Sequence, residues 1–205
     1  PDPRRWLPNA FIQAVAYAAG SQTPETPDAS YQTDAKDISG SLDAQITEAC
    51  RFVARNARVG ARKGMGRIDD PQFDMTAVFE AVVNAVAHRD YSIYGSKIRL
   101  QLFSDRLVIR SPGSLPNTMT VESMTYRQAA RNEVITSLLA RCRVPDEEWL
   151  ATDRSTMMDK RGEGVPIILE SSKKLSGKEP IYRSIDDAEL ELTIYAASQS
   201  PGAPS

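Results

Sequence analysis

Apolar residues crowd the stretch MTAVFEAVVNAVAHRDYS, residues 75–92, at the spacing of an amphipathic helix, and Asp74 is placed to cap its start. The helix is expected from about Asp74 to His88. Glu80, Asn84 and His88 interrupt the apolar run at intervals of four, which stacks a carboxylate, an amide and an imidazole on one side. Unpaired burial costs a polar group on the order of a few kcal/mol, so this ridge must reach water, find protein partners or hold a ligand.

The flanking patterns place that helix in a larger fold. Residues 10–17, AFIQAVAY, read as a strand, GSQTPETPDASYQTD as a loop, and AKDISG as a second short strand or turn. From Ser41, a candidate cap, SLDAQITEACRFVARN sets Leu42, Ile46, Ala49 and Val53 along one helical face. ARVGARKGMGRIDDPQF reads as a glycine-broken connection. SKIRLQLFS and RLVIRS alternate apolar and polar positions about a Ser104-Asp105 turn, the pattern of a hairpin. A shorter helix is expected over Arg131 to Arg141, followed by an irregular polar stretch through residue 160 that reads as a mobile cover. GEGVPIILESSKKLSG predicts a helix with Pro166 in its first turn, and PIYRSID and ELELTIYAA predict two closing strands. The order suggests an α+β fold: a two-layer α/β sandwich with a mostly antiparallel sheet, helices on one face and the ligand between the layers.

Composition narrows the chemistry. A 41% hydrophobic and 25% charged chain is ordinary for a water-soluble domain, no apolar run approaches a membrane span, and two widely separated cysteines make reduced thiols in a cytoplasmic protein the expectation. A net charge of -2 gives no global attraction for nucleic acid. Cys50 and Cys142 form no CxxC pair, and the single histidine leaves any triad or multi-histidine metal site with only His88. Arg51, Arg55, Arg58 and Arg62, with Lys63 and Arg67, form a cationic stripe; a solvated face and a phosphate-contacting face both fit it.

EAVVNAVAHRDYS, RLVIRSPGSLP, RQAARNEVI and RGEGVPIIL, in that order, resemble the C-terminal ATPase-like domain of RecG-related, Schlafen AlbA-type transcriptional regulators, over about residues 35–197. That family is similar to the ATP-binding superfamily of gyrase, heat-shock chaperones, histidine kinases and MutL, so the resemblance implies a Bergerat-type fold and ATP with Mg2+ as ligands. It also implies residue roles. Glu80 corresponds to the carboxylate that orients or deprotonates the attacking water, and Asn84 to the amide that holds magnesium, a metal that takes hard oxygen ligands. Gly113 corresponds to the first glycine of the superfamily's Asp-x-Gly-x-Gly. Ser111 stands where that motif has its adenine-reading Asp, and Leu115 where it has its second glycine, so the hydroxyl offers the base only a weaker, neutral acceptor.

Gly162 and Gly164 open a helix whose first N–H groups can receive phosphate oxygens, with Lys160 or Arg161 adding charge and Glu163 opposing it. Arg131 and Asn132 lie near the site by the family's pattern, and a cap plus a solvated cation fits them equally. His88 is either a nucleotide neighbour or an imidazole at a helix end.

The expected organisation is the end of an upstream AlbA-like domain and linker over 1–34, the ATP-binding domain over 35–197 and a disordered tail over 198–205. The implied function is an ATP-binding regulatory domain of a DNA-binding transcriptional regulator, with slow Mg-dependent ATP hydrolysis left open. DNA contact is expected through the upstream domain, and a homo-oligomer is left open. The alternative is a non-catalytic assembly module that has lost nucleotide binding. No G-x-x-x-x-G-K-[ST] phosphate loop is present, so a helicase motor of that type is excluded from this chain.

Overall fold

A computed structural model of the chain describes residues 2–18, 28, 31–57, 59–63, 67–116, 119–127, 129–150, 152, 154–159 and 162–197, with the backbone alone over 59–63 and 67–70. The elements in chain order are β1 (Ile12–Tyr17), β2 (Gln32–Ile38), α1 (Leu42–Asn56), β3 (Val59–Lys63), β4 (Arg67–Pro71), α2 (Met75–His88), β5 (Ile98–Leu102), β6 (Arg106–Pro112), α3 (Glu133–Leu139), α4 (Gly164–Ser176), β7 (Ile181–Ile185) and β8 (Glu189–Tyr195). The main sheet has the order β2-β1-β5-β6-β8-β7 and is antiparallel except where β1 runs beside β5. This is the expected α+β sandwich.

Alternation along the strands decides which face carries the helices. Ile12 and Ala14 on β1, Leu100 on β5, Leu107 and Ile109 on β6, and Leu192 and Ile194 on β8 are buried in one core with Ile46, Ala49 and Val53 of α1 and Val78, Val82 and Val86 of α2. Arg110 and Glu191, cross-strand partners one residue out of phase with Ile109 and Leu192, point the other way and form a buried ion pair of 2.6 Å.

Several expectations hold in detail. The Asp74 carboxylate caps α2, accepting the Ala77 N–H at 2.9 Å. The β5–β6 hairpin turns at Ser104-Asp105, and Phe103 donates to Arg106 across it at 2.8 Å. Pro166 is the third residue of α4, where the missing N–H has no intrahelical partner to lose.

Other expectations are corrected. Ser41 occupies the cap position of α1, but only its backbone carbonyl engages, accepting from Gln45 at 2.9 Å. The glycine-broken connection is an antiparallel hairpin, β3 with β4, paired from Val59–Pro71 to Lys63–Arg67. The helix expected over Arg131 to Arg141 is the seven residues of α3. The stretch read as a mobile cover is pinned: Leu150 and Met157 are buried, Arg143 bridges to Thr156, and Glu147 pairs with Arg51 at 3.0 Å. Apart from these corrections, residue 34 lies within β2, and β1 and β2 are strands of the main sheet. The expected tail, Lys160 and Arg161, Arg58, and most of the expected loop over 20–34 fall outside the described residues.

Candidate functional site

A cavity of about 450 Å³ opens between α2, the start of α4 and the sheet, with the loop that follows β6 along its rim. That volume suits a small organic ligand. Ile109, Leu190 and Leu192 supply an apolar floor, and Met119 and Met124 reach in from the rim. The polar ridge of α2 forms one wall: Glu80, Asn84 and His88 all line the space.

Asn84 is the least satisfied of the three. Its Nδ2 is buried and has no hydrogen-bond partner. A buried, unpaired amide costs about 1–3 kcal/mol, so the arrangement is costly unless something in the cavity engages the group. Gly164 begins α4 directly opposite. A Cβ at that position would lie 2.9 Å from Asn84 Nδ2 and 3.0 Å from Glu80 Oε2. A side chain there would fill the approach, so glycine lets the helix start come up against the ridge. Gly162, at φ +71°, turns the chain into α4 from the same rim. Glu163 between them is exposed and does not line the cavity.

Glu80 is 5% exposed, and its Oε1 accepts from Arg154 Nε at 2.6 Å. Arg154 also pairs through Nη1 with Asp159 Oδ2 at 2.7 Å. Burial pushes the Glu80 carboxyl above its ordinary range; the arginine opposes that shift, and the charges of Asp159 and Glu163 add to it. The close ion pair marks a charged carboxylate while the upward shift marks one that is costly to ionise. Both follow when burial outweighs a single partner.

The other end of the cavity is a hydrogen-bonded clamp. Ser111 Oγ donates to the Ala85 carbonyl at 2.9 Å, holding β6 to α2 and leaving its lone pairs as acceptors. Gly113 has φ +109°, and a Cβ there would lie 2.7 Å from the Asp90 Cβ. That close approach lets Asp90 donate its N–H to Pro112 at 2.7 Å, while Arg131 bonds Asp90 Oδ2 at 2.9 Å and the Ser114 carbonyl. Burial, and secondarily Arg131, hold the His88 imidazole below its ordinary range, which favours a neutral ring over a cation at the helix end.

The cavity thus brings together Glu80, Asn84, His88, Ser111, Gly113, Arg131, Gly162 and Gly164. Asn132 points elsewhere: its Nδ2 donates to the Ala87 and Arg89 carbonyls at 2.9 and 2.8 Å, closing the C-terminus of α2. Arg89, the residue after α2, is 2% exposed and donates to the Ser96 carbonyl at 2.7 Å. Arg154 and Asp159 carried no local signal in the sequence; they reach the ridge only through the path of the chain between α3 and α4. Among the described residues no group of three or more His, Cys, Asp or Glu is arranged to hold a metal. Of the cationic stripe, Arg51 pairs with Glu48 at 2.6 Å and Arg55 with Asp34 at 2.7 Å, and α1 ends at Asn56, before the stripe's remaining members.

Residues 95–194 match a family model described as "Putative ATP-dependent DNA helicase recG C-terminal", which bears out the RecG-related resemblance over β5 to β8. No curated protein matches the chain. Among solved structures, the DIP2311 protein from Corynebacterium diphtheriae is similar with a TM-score of 0.66 at 20% identity, covering 92% of this chain and 34% of that one. The chain therefore spans about a third of that protein, and at this identity the likeness concerns the fold. Among the described residues no helix is long and apolar enough to cross a membrane.

Proposed function

We propose, on the premise that residues 95–194 carry the RecG-related C-terminal domain, that the cavity binds a nucleoside triphosphate, ATP, and that occupancy regulates an attached DNA-binding part of a transcriptional regulator. The observation that carries the reading is the buried, unpartnered amide of Asn84 in the wall of a cavity of ligand size, with the start of α4 close against it. The base fits the apolar floor of Ile109 and Leu192, with Ser111 lone pairs as neutral acceptors. The phosphates fit the Gly162–Gly164 end, where a thirteen-residue helix presents its unpaired N–H groups.

The donor set suits magnesium only as a companion of the phosphates: the Asn84 amide oxygen is one hard ligand, and the remaining ligands would be phosphate and water oxygens. When bound, the metal would neutralise phosphate charge. Glu80, in the cavity wall, would be the residue to orient a water, but one of its carboxylate oxygens is taken up by Arg154. Binding is therefore the primary activity, and slow Mg-dependent hydrolysis is secondary to it.

The alternative, an assembly module without nucleotide, draws support from Ser111, whose hydroxyl proton is already used to hold β6 to α2. Calorimetric titration with ATP and magnesium separates the two. The proposal expects saturable binding by the native chain and a loss of at least tenfold in Asn84→Ala, about 1.4 kcal/mol. Neither heat nor thermal shift from folded native protein at millimolar nucleotide rejects it in favour of the assembly module.

A further inference from the structure

Resting on the nucleotide-binding reading, we infer that the ring of Tyr182 supplies affinity for the base, and that the site takes purine nucleoside triphosphates without distinguishing adenine from guanine.

Five described strand residues line the cavity: Ile109 and Ser111 on β6, Tyr182 on β7, and Leu190 and Leu192 on β8. Leu192 pairs with Ile109 on one side and with Tyr182 on the other, so the three side chains stand in one row on the helix-covered face of the sheet. Two strand spacings make that row about 10 Å long, enough for a two-ring base over Ile109 and Leu192 to reach Tyr182. Tyr182 is the one Tyr, Phe or Trp among the described lining residues, and it lies partly buried against the core on an edge strand. Its ring offers a flat, polarisable partner that the aliphatic neighbours do not, and every nucleobase has a π-face to meet it. Base identity, by contrast, is read at the edge of the ring, where charged partners make the strong hydrogen bonds. None of the five strand residues is charged; the lining charges, Glu80, Arg127, Arg131, Glu133 and Asp159, stand on helices and loops. The two hydroxyls of the floor are neutral as well. Ser111 is held to the Ala85 carbonyl at 2.9 Å, and burial pushes the Tyr182 phenol above its ordinary range, so it keeps its proton. With neither a carboxylate nor a cation on the floor, no charged hydrogen bond favours one purine over the other.

Calorimetric titrations of the chain with ATP, GTP and inorganic tripolyphosphate, each with magnesium, separate base from phosphate. The native chain is expected to bind ATP and GTP within about threefold of each other, and both at least about tenfold more tightly than tripolyphosphate. Tyr182→Leu is expected to weaken ATP and GTP alike by at least about fivefold while tripolyphosphate stays within about twofold of native, which also shows that the phosphate end is intact. Tyr182→Phe, which keeps the ring, is expected to recover both nucleotides to within about twofold of native. Where Tyr182→Leu does not fold, Tyr182→Met takes its place with the same expectations. Four results overturn the inference while leaving nucleotide binding intact: a larger preference for either purine in the native chain, tripolyphosphate bound as tightly as ATP, a Tyr182→Leu variant that keeps its nucleotide affinity or loses tripolyphosphate with it, or a Tyr182→Phe variant as weak as Tyr182→Leu. Absence of ATP and GTP binding by folded native chain overturns both.

Discussion

Replacing Gly113 with alanine tests the clamp at the base end of the cavity. The residue sits at φ +109°, and an added Cβ would meet the Asp90 Cβ at 2.7 Å, the Asp90 nitrogen at 3.2 Å and the Arg131 Cζ at 3.4 Å. Asp90 cannot retreat freely, since its N–H is bound to the Pro112 carbonyl at 2.7 Å and its carboxylate to Arg131 at 2.9 Å. Backbone strain costs about 1–3 kcal/mol and forced overpacking about another 1–3, so a loss of about 2–6 kcal/mol is expected. That is a large part of the roughly 5–15 kcal/mol that holds a typical domain. Urea unfolding followed by circular dichroism measures it, with Gly95→Ala as control, because nothing lies within 4 Å of a Cβ there and its φ is not positive. The control should change by no more than about 1 kcal/mol. A Gly113→Ala loss below about 1 kcal/mol would mean that the turn relaxes easily, and the argument from close approach would fail.

Two further perturbations address other parts of the account. His88 is held below its ordinary value of 6.5 by burial and by Arg131, so the unfolded chain binds more protons near that pH. Stability is therefore fully present above 6.5 and is lost as pH falls from 6.5 toward the depressed folded value, with a slope of at most about 1.4 kcal/mol per pH unit. Comparing urea unfolding of native protein and His88→Gln between pH 7.5 and 5.5 checks this; identical pH dependence in the two would contradict it. Arg110→Ala should cost about 3–5 kcal/mol by leaving Glu191 buried without its partner, whereas Arg110→Met with Glu191→Leu should be near neutral, both read by thermal unfolding. A cheap single substitution would show that the pair is not desolvated as the structure has it.

Local physics made some elements legible and hid others. α2 is readable because Asp74, a dense apolar stripe and three polar residues at intervals of four all agree on one helix. The β5–β6 hairpin is readable for the same reason, alternation on both sides of a two-residue turn. β3 and β4 are not: VGARK and RIDDP lack apolar alternation, and their pairing shows only once the strands lie side by side. The parallel contact of β1 with β5 joins Ile12 to Ile98, a separation no local window spans.

At the site, the glycines were visible as breaks in pattern, and the structure gives two of them a steric reason. The partners of Glu80 were invisible, because Arg154 lies 74 residues away in an irregular segment with no repeating pattern. Asn132 misled for a related reason: at the cap position of α3 its side chain serves a different helix, closing α2 through two carbonyls.

The central claim is that a polyphosphate ligand lies between the sheet and α2. Crystals grown with magnesium and a nonhydrolysable ATP analogue test it most directly. Density is expected with the base over Ile109 and Leu192, the phosphates at Gly162 and Gly164, and a contact from the Asn84 amide. Clear density at this cleft in which Asn84 stays unengaged, or nucleotide bound only at the protein surface, would contradict it.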